Sequence, residues 1–257
     1  MPRFQTWEDY CYPAPHDHVL RNKFGIRSQH ELRRVETSAV AARQYELNAG
    51  RVAIARTYDA AHLSALHQHL FQDVYEWAGQ TRTVGMMKAS SREFATLEEI
   101  PRYLSDAHQL VTGRDWSKLN APQVAQWAAE VLAYVNQAHP FREGNGRTAK
   151  AFLDDVLEQT WYEIDYGAIA PRDWNLASEL SRPRAHEYRP DPAPLRPVLE
   201  RATRERTAPP PAVEGHQRQI DELRRIMKAA TQEPSAHQTH HDLYQVGPEP
   251  GPPQLGR

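Results

Sequence analysis

The sequence predicts a mainly α fold, on two observations. Apolar residues recur at three- and four-residue spacing in window after window, most of them opened by a helix-capping residue or an early proline. Alternating apolar and polar stretches of the strand type are scarce.

Taken in order, Ser28-Gln29-His30-Glu31 has the capping-box pattern and precedes Leu32, Val35, Ala39, Ala42 and Leu47, which a helix would gather on one side. Asp59 stands as a cap ahead of Leu63, Leu66, Leu70, Val74 and Trp77. A third helix is expected over Leu97 to Val111, with Pro101 in its first turn. Asn120 and Pro122 read as cap and early helical position before Val124, Trp127, Val131, Leu132 and Val135. The run Thr148 to Thr160 puts Phe152, Val156 and Leu157 on one face, so a helix also follows the loop after His139. Trp7, Tyr10 and Tyr12 are expected to cover the edge of the core, and His67 and His69 to lie on a solvated helix flank.

A chain of 257 residues exceeds one typical domain of about 100–200. Thirteen of the twenty prolines fall between Pro183 and Pro253. This predicts a folded domain over 1–182 and a Pro-rich, disordered tail over 183–257, with a short helix over 214–231 where Ile220, Leu223, Ile226 and Met227 are helically spaced. The net charge of −2 argues against a nucleic-acid binder. One cysteine, Cys11, allows no internal disulfide and fits a reducing compartment. No apolar run approaches the roughly twenty residues that span a bilayer, so the expected setting is the bacterial cytoplasm, with delivery into another cell left open.

The chemistry concentrates in His139-Pro140-Phe141-Arg142-Glu143-Gly144-Asn145-Gly146-Arg147. His139 can accept a proton near neutral pH. Glu143 offers hard oxygen ligands for Mg²⁺. Gly144, Asn145 and Gly146 permit left-handed backbone and close ligand approach at a helix N-terminus, where anions bind. Arg147 and Lys150, three apart, lean to one side of the first helical turn. Together they describe phosphoryl or nucleotidyl transfer. Zinc ligation by His139 and Glu143 is disfavoured, because Pro140 and the glycines interrupt any regular helix between them.

This stretch resembles the signature of the Fic (filamentation induced by cAMP) domain, His-Pro-Phe-x-Asp/Glu-Gly-Asn-Gly-Arg-x-x-Arg, with Lys150 in place of the last arginine. The resemblance runs over about Tyr10 to Ser181 and includes Val74-Tyr75-Glu76-Trp77-Ala78-Gly79. It implies a Fic-type helical bundle with a small β-hairpin flap over Thr83 to Ala95 beside the active-site loop. It also implies a Mg²⁺-dependent protein adenylyltransferase that moves AMP from ATP to a hydroxyl of a target protein. His139 would then be the base and Glu143 the metal ligand. Gly144, Asn145, Gly146, Arg147, Lys150 and Lys88 would hold the nucleotide, while Phe141 would anchor the loop and Phe94 seat the flap. No Ser/Thr-x-x-x-Glu-Gly/Asn motif is present, and Tyr12-Pro13 through Leu20-Arg21-Asn22-Lys23-Phe24-Gly25-Ile26 resembles the class I subgroup, inhibited by a separate antitoxin. The implied partners are a small antitoxin protein and, as targets, the ATPase subunits of gyrase and topoisomerase IV. Another donor, UTP or CDP-choline, and a secreted or conjugation-associated effector remain as alternatives.

Overall fold

The computed structural model describes residues 4–86 and 93–207. Helix α1 (Gln29–Asn48) starts where the Ser28 side chain accepts the Glu31 N–H. Helix α2 (Ala60–Phe71) starts where Asp59 accepts the His62 N–H at 3.0 Å. Helix α3 (Ile100–Thr112) carries Pro101 in its first turn, where a missing N–H costs nothing. Helix α4 (Ala121–Ala138) opens on a complete capping box: Asn120 accepts the Gln123 N–H at 3.1 Å and Gln123 accepts the Asn120 N–H at 3.0 Å. Helix α5 (Asn145–Leu157) begins inside the Gly-Asn-Gly stretch.

Two boundaries differ from those expected. α2 stops at Phe71; Val74 and Trp77 are buried as expected, but in turns that end on Gly79 at φ 79°. α3 begins at Ile100 rather than Leu97, because the Glu99 carboxylate accepts the Thr96 N–H at 2.9 Å and holds that stretch as a turn.

α4 is the central helix. It buries Val124, Val131, Leu132 and Val135 together with Ala125, Ala128, Ala129 and Ala133, whose small side chains let neighbours approach closely. α3, α5 and a later helix pack directly on it, while α1 packs on α2 and α2 on α5. At the N-terminus Tyr10 is buried, stacked 4.0 Å from Phe4 and edge-on to Trp77.

The expected boundary at 182–183 is displaced. Beyond β1 (Tyr162–Ile164) and α6 (Pro171–Leu180), residues 183–207 continue the same body: α7 (Arg196–Ala202) packs on α4, and β2 (Thr203–Glu205) pairs antiparallel with β1. The pairing sets Tyr162 against Glu205 and Ile164 against Thr203. Pro197 occupies the first turn of α7 and spares its hydrogen bonds, while Leu195 and Leu199 are fully buried. Proline density alone therefore misjudged this segment. Residues 208–257, with the expected helix over 214–231, lie outside the described residues.

The fold is mainly α, and the β1–β2 pair is its strand structure among the described residues. Of the expected flap, Thr83–Met86 and Glu93–Ala95 are described; the hairpin tip and Lys88 lie outside. Among the described residues no helix is long and apolar enough to cross a membrane.

Candidate active site

The site is the junction between α4 and α5. α4 ends on His139 in the left-handed conformation, φ 40° and ψ 57°, a costly choice for a residue with a side chain. What holds it there is Arg82, buried beneath it. Arg82 donates through Nε to the His139 carbonyl at 2.9 Å, through Nη1 to the Val84 carbonyl at 2.9 Å and through Nη2 to the Ala95 carbonyl. Its own N–H donates to the Pro140 carbonyl at 2.7 Å. One guanidinium thus ties both roots of the 84–95 segment to the turn that carries His139. Phe94 stacks on the His139 imidazole with centroids 3.7 Å apart, and the Ala95 N–H donates to the Gln137 carbonyl at 3.0 Å.

The loop closes on itself through Asn145. Its Oδ1 accepts the Phe141 N–H at 2.9 Å and its Nδ2 donates to the Phe141 carbonyl at 2.8 Å, so this side chain shapes the turn rather than reaching outward. Gly144, at φ 84°, lies directly on Phe71: a Cβ there would stand 2.2 Å from Phe71 Cζ. The N–H groups of Asn145, Gly146 and Arg147 open α5, where a helix has no internal acceptors for them, and an end of this kind attracts anions.

His67 supports the loop from below, contrary to the expected solvated flank. It is fully buried and sandwiched by Phe141, 3.8 Å away, and Phe71, 4.7 Å away. Its Nδ1 accepts the Gly79 N–H at 2.7 Å, which leaves the proton on Nε2 to be donated to the Glu143 carbonyl at 3.0 Å. Burial pulls its pKa down to about 4, so the ring is neutral at physiological pH. His69 is buried as well, against the Arg43 carbonyl. The spacing signal was present, since 67 is four from Leu63 and three from Leu70; residue polarity obscured it.

Glu143 is half exposed, and its Oε1 accepts the Gly144 N–H at 2.9 Å. Arg147 donates through Nη2 to Glu36 and, at 3.5 Å, to Glu143, with its guanidinium 4.7 Å over the Phe71 ring. Lys150 sits apart from these groups. Its ammonium lies 4.4 Å from the Trp174 ring and 4.8 Å from that of Tyr166, and burial lowers its pKa.

An open cleft of about 590 Å³ lies over the loop, the size of a small-molecule site. His139, Glu143, Gly144, Asn145 and Gly146 form one wall, and Trp174, Ser178 and Arg182 of α6 and its end form another. Arg147 and Lys150 are outside this lining. Phe141 is buried, as expected of the loop's anchor. Sequence reasoning missed Arg82, His67, Glu36 and the α6 wall; Arg82 in particular carries no pattern that separates it from a surface arginine.

The same fold recurs among known proteins. The sequence profile of the Fic/DOC family matches residues 57–157. The chain is 39% identical over 176 residues to the Sinorhizobium fredii protein named "Probable protein adenylyltransferase y4lH", covering 67% of this chain and 87% of that one. It is 36% identical over 168 residues to "Protein adenylyltransferase VbhT" of Bartonella schoenbuchensis, covering 65% of this chain but 34% of VbhT, so it spans about a third of that relative. Among solved structures, the N-terminal Fic domain of a Bartonella quintana Bep effector with bound ADP superposes with a TM-score of 0.68 at 27% identity, covering 77% of this chain and 96% of that one. BepC of Bartonella tribocorum with bound AMPPNP gives 0.68 at 23% identity over 78% and 98%, a likeness of fold. The chain belongs to the Fic/DOC family.

Proposed function

We propose that this protein is an adenylyltransferase that moves AMP from ATP to a hydroxyl side chain of a protein. The observation that carries the reading is the convergence of His139, Glu143 and the N–H groups opening α5 on one cleft of nucleotide size. Relatives named as protein adenylyltransferases, and the ADP-bound neighbour, support the same donor.

In this reading the phosphates lie against the N–H groups of Asn145, Gly146 and Arg147, where the helix dipole and the guanidinium offset their charge. His139, held by Arg82 and faced by Phe94, takes the proton of the attacking hydroxyl. That hydroxyl oxygen bonds to the α-phosphorus as the bond to the β-phosphate oxygen breaks, and pyrophosphate leaves. Glu143, half exposed and facing the cleft, fits a Mg²⁺ ligand of the kind that binds through one carboxylate plus substrate phosphates. When bound, Mg²⁺ would neutralise phosphate charge. Lys150 enters as a more distant charge, three residues beyond Arg147. Lys88, on the 84–95 segment, is assigned to the nucleotide by resemblance alone. Docking of the target as an added strand along this segment, a tyrosine of gyrase or topoisomerase IV ATPase subunits as acceptor, and silencing by a separate antitoxin belong to the same proposal. The body formed by the described residues, 4–86 and 93–207, would belong to the catalytic unit.

The test is transfer of label from α-labelled ATP to protein in a bacterial lysate, with CTP, GTP, UTP and CDP-choline in parallel. The intact protein should transfer AMP, and His139→Ala should lose at least about a hundredfold in rate while keeping its melting temperature. Label arriving equally with His139→Ala would end the reading, and preference for another donor would redirect it.

A further inference from the structure

Glu36 has no role in the signature and none in the chemistry above, yet it is the side chain most intimately engaged with Arg147. It lies on the buried face of α1, four residues from Leu32 and Val40 and three from Ala39, and only 8% of it is exposed. A buried carboxylate needs partners, and here each oxygen has one. Oε2 accepts the hydroxyl of Tyr75, which is itself buried; Oε1 accepts Nη2 of Arg147.

We propose that Glu36, tethered by Tyr75, is a positioning residue that fixes Arg147 for phosphate binding and holds it short of a full, close pairing with Glu143. Rupture of this pair would strand a buried carboxylate, so the two stay together when a ligand arrives. Among the described residues both hydrogen bonds of the guanidinium come from Nη2, which leaves the Nη1 and Nε hydrogens for other acceptors such as phosphate oxygens. Glu143 Oε1, four residues earlier in the loop before α5, already stands 3.5 Å from the same Nη2. Without Glu36 the guanidinium would turn fully onto Glu143, withdrawing at once the cation and the carboxylate expected to handle the phosphates. Phe71 underlies this arrangement, as the floor beneath both Arg147 and Gly144. α1 thereby takes part in the site although it contributes no side chain to the cleft wall.

The inference rests on the reading of Arg147 as a phosphate ligand, and a binding cycle separates the two. AMPPNP with Mg²⁺ is titrated calorimetrically into the full chain and into Glu36→Gln, Arg147→Ala and the double variant. Glu36→Gln should weaken AMPPNP by about tenfold, the loss expected for a hydrogen bond to a charged group, and Arg147→Ala by at least as much. The double variant should bind no more weakly than Arg147→Ala, because Glu36 acts through that arginine. Should Glu36→Gln fold poorly, Tyr75→Phe removes the tether alone and should weaken AMPPNP about threefold. Unchanged or tighter binding by Glu36→Gln, or losses that add in the double variant, would overturn the positioning role. If Arg147→Ala alone binds normally, the phosphate reading of that residue fails first, and the inference falls with it.

Discussion

Arg82 and His139 are joined side chain to main chain: the guanidinium Nε donates to the His139 carbonyl at 2.9 Å while the same group holds the carbonyls of Val84 and Ala95. The residue that would accept the proton and the segment that would present the acceptor therefore share one buried anchor. Lysine cannot reproduce a planar fork with three separate acceptors. Arg82→Lys should lower stability by about 2 kcal/mol, from carbonyls left unsatisfied, and should slow AMP transfer by more than tenfold well below its melting temperature. Thermal unfolding and labelled-ATP transfer measured on one preparation would check both; a rate equal to the parent's would show that the anchor is merely structural.

The two glycines of the loop differ in kind. At Gly144 a methyl group meets both a left-handed backbone and the Phe71 ring 2.2 Å away, whereas at Gly146 it meets nothing within 4 Å. Gly144→Ala should lose about 3 kcal/mol or more, from backbone strain and overpacking together. Gly146→Ala should keep its melting temperature within a few degrees and instead weaken AMPPNP, because its methyl projects where the ligand would approach. Equal melting temperatures for the two variants would refute the assigned floor.

Lys150 offers a sharper distinction between charge and contact. Its ammonium rests on Trp174 and Tyr166, and Trp174 also lines the cleft. Lys150→Met keeps the apolar stem and removes a cation–π contact worth about 0.5–2 kcal/mol. AMPPNP affinity should fall by less than about threefold, against at least tenfold for Arg147→Ala. A loss as large as that of Arg147→Ala would return Lys150 to direct phosphate contact.

The helices were legible because caps and apolar spacing are local properties: Ser28, Asp59 and Asn120 each cap the helix expected of them. The loop was legible because its chemistry lies in nine consecutive residues. What supports the loop was not. Arg82, Glu36 and His67 are polar residues made indispensable by partners 57, 111 and 76 positions away, and no local pattern announces such pairings. The packing of 183–207 was hidden for a related reason, since prolines in turns and first helical turns cost a fold little.

His67 gives a pH signature to the underside of the site. Its folded-state pKa of about 4 lies below the ordinary 6.5, with burial as the main cause and the Arg147 charge adding to it. Between these values the unfolded chain binds a proton that the folded chain refuses. The contribution of the neutral ring is therefore fully present above about pH 6.5 and declines as the pH falls toward 4, by on the order of 3 kcal/mol. Other groups titrate nearby, among them Asp154, whose carboxyl burial pushes up to about 7, so the comparison must be between variants. His67→Gln can still accept the Gly79 N–H but loses the stack on Phe141, and should melt below the parent at pH 7.5. That gap should narrow steadily from pH 6.5 to 4.5, as the parent alone bears the cost of a histidine kept neutral. A gap constant across the range, in melting curves recorded at equal ionic strength, would mean that His67 is charged within the fold and that its support of the Glu143 carbonyl is of another kind.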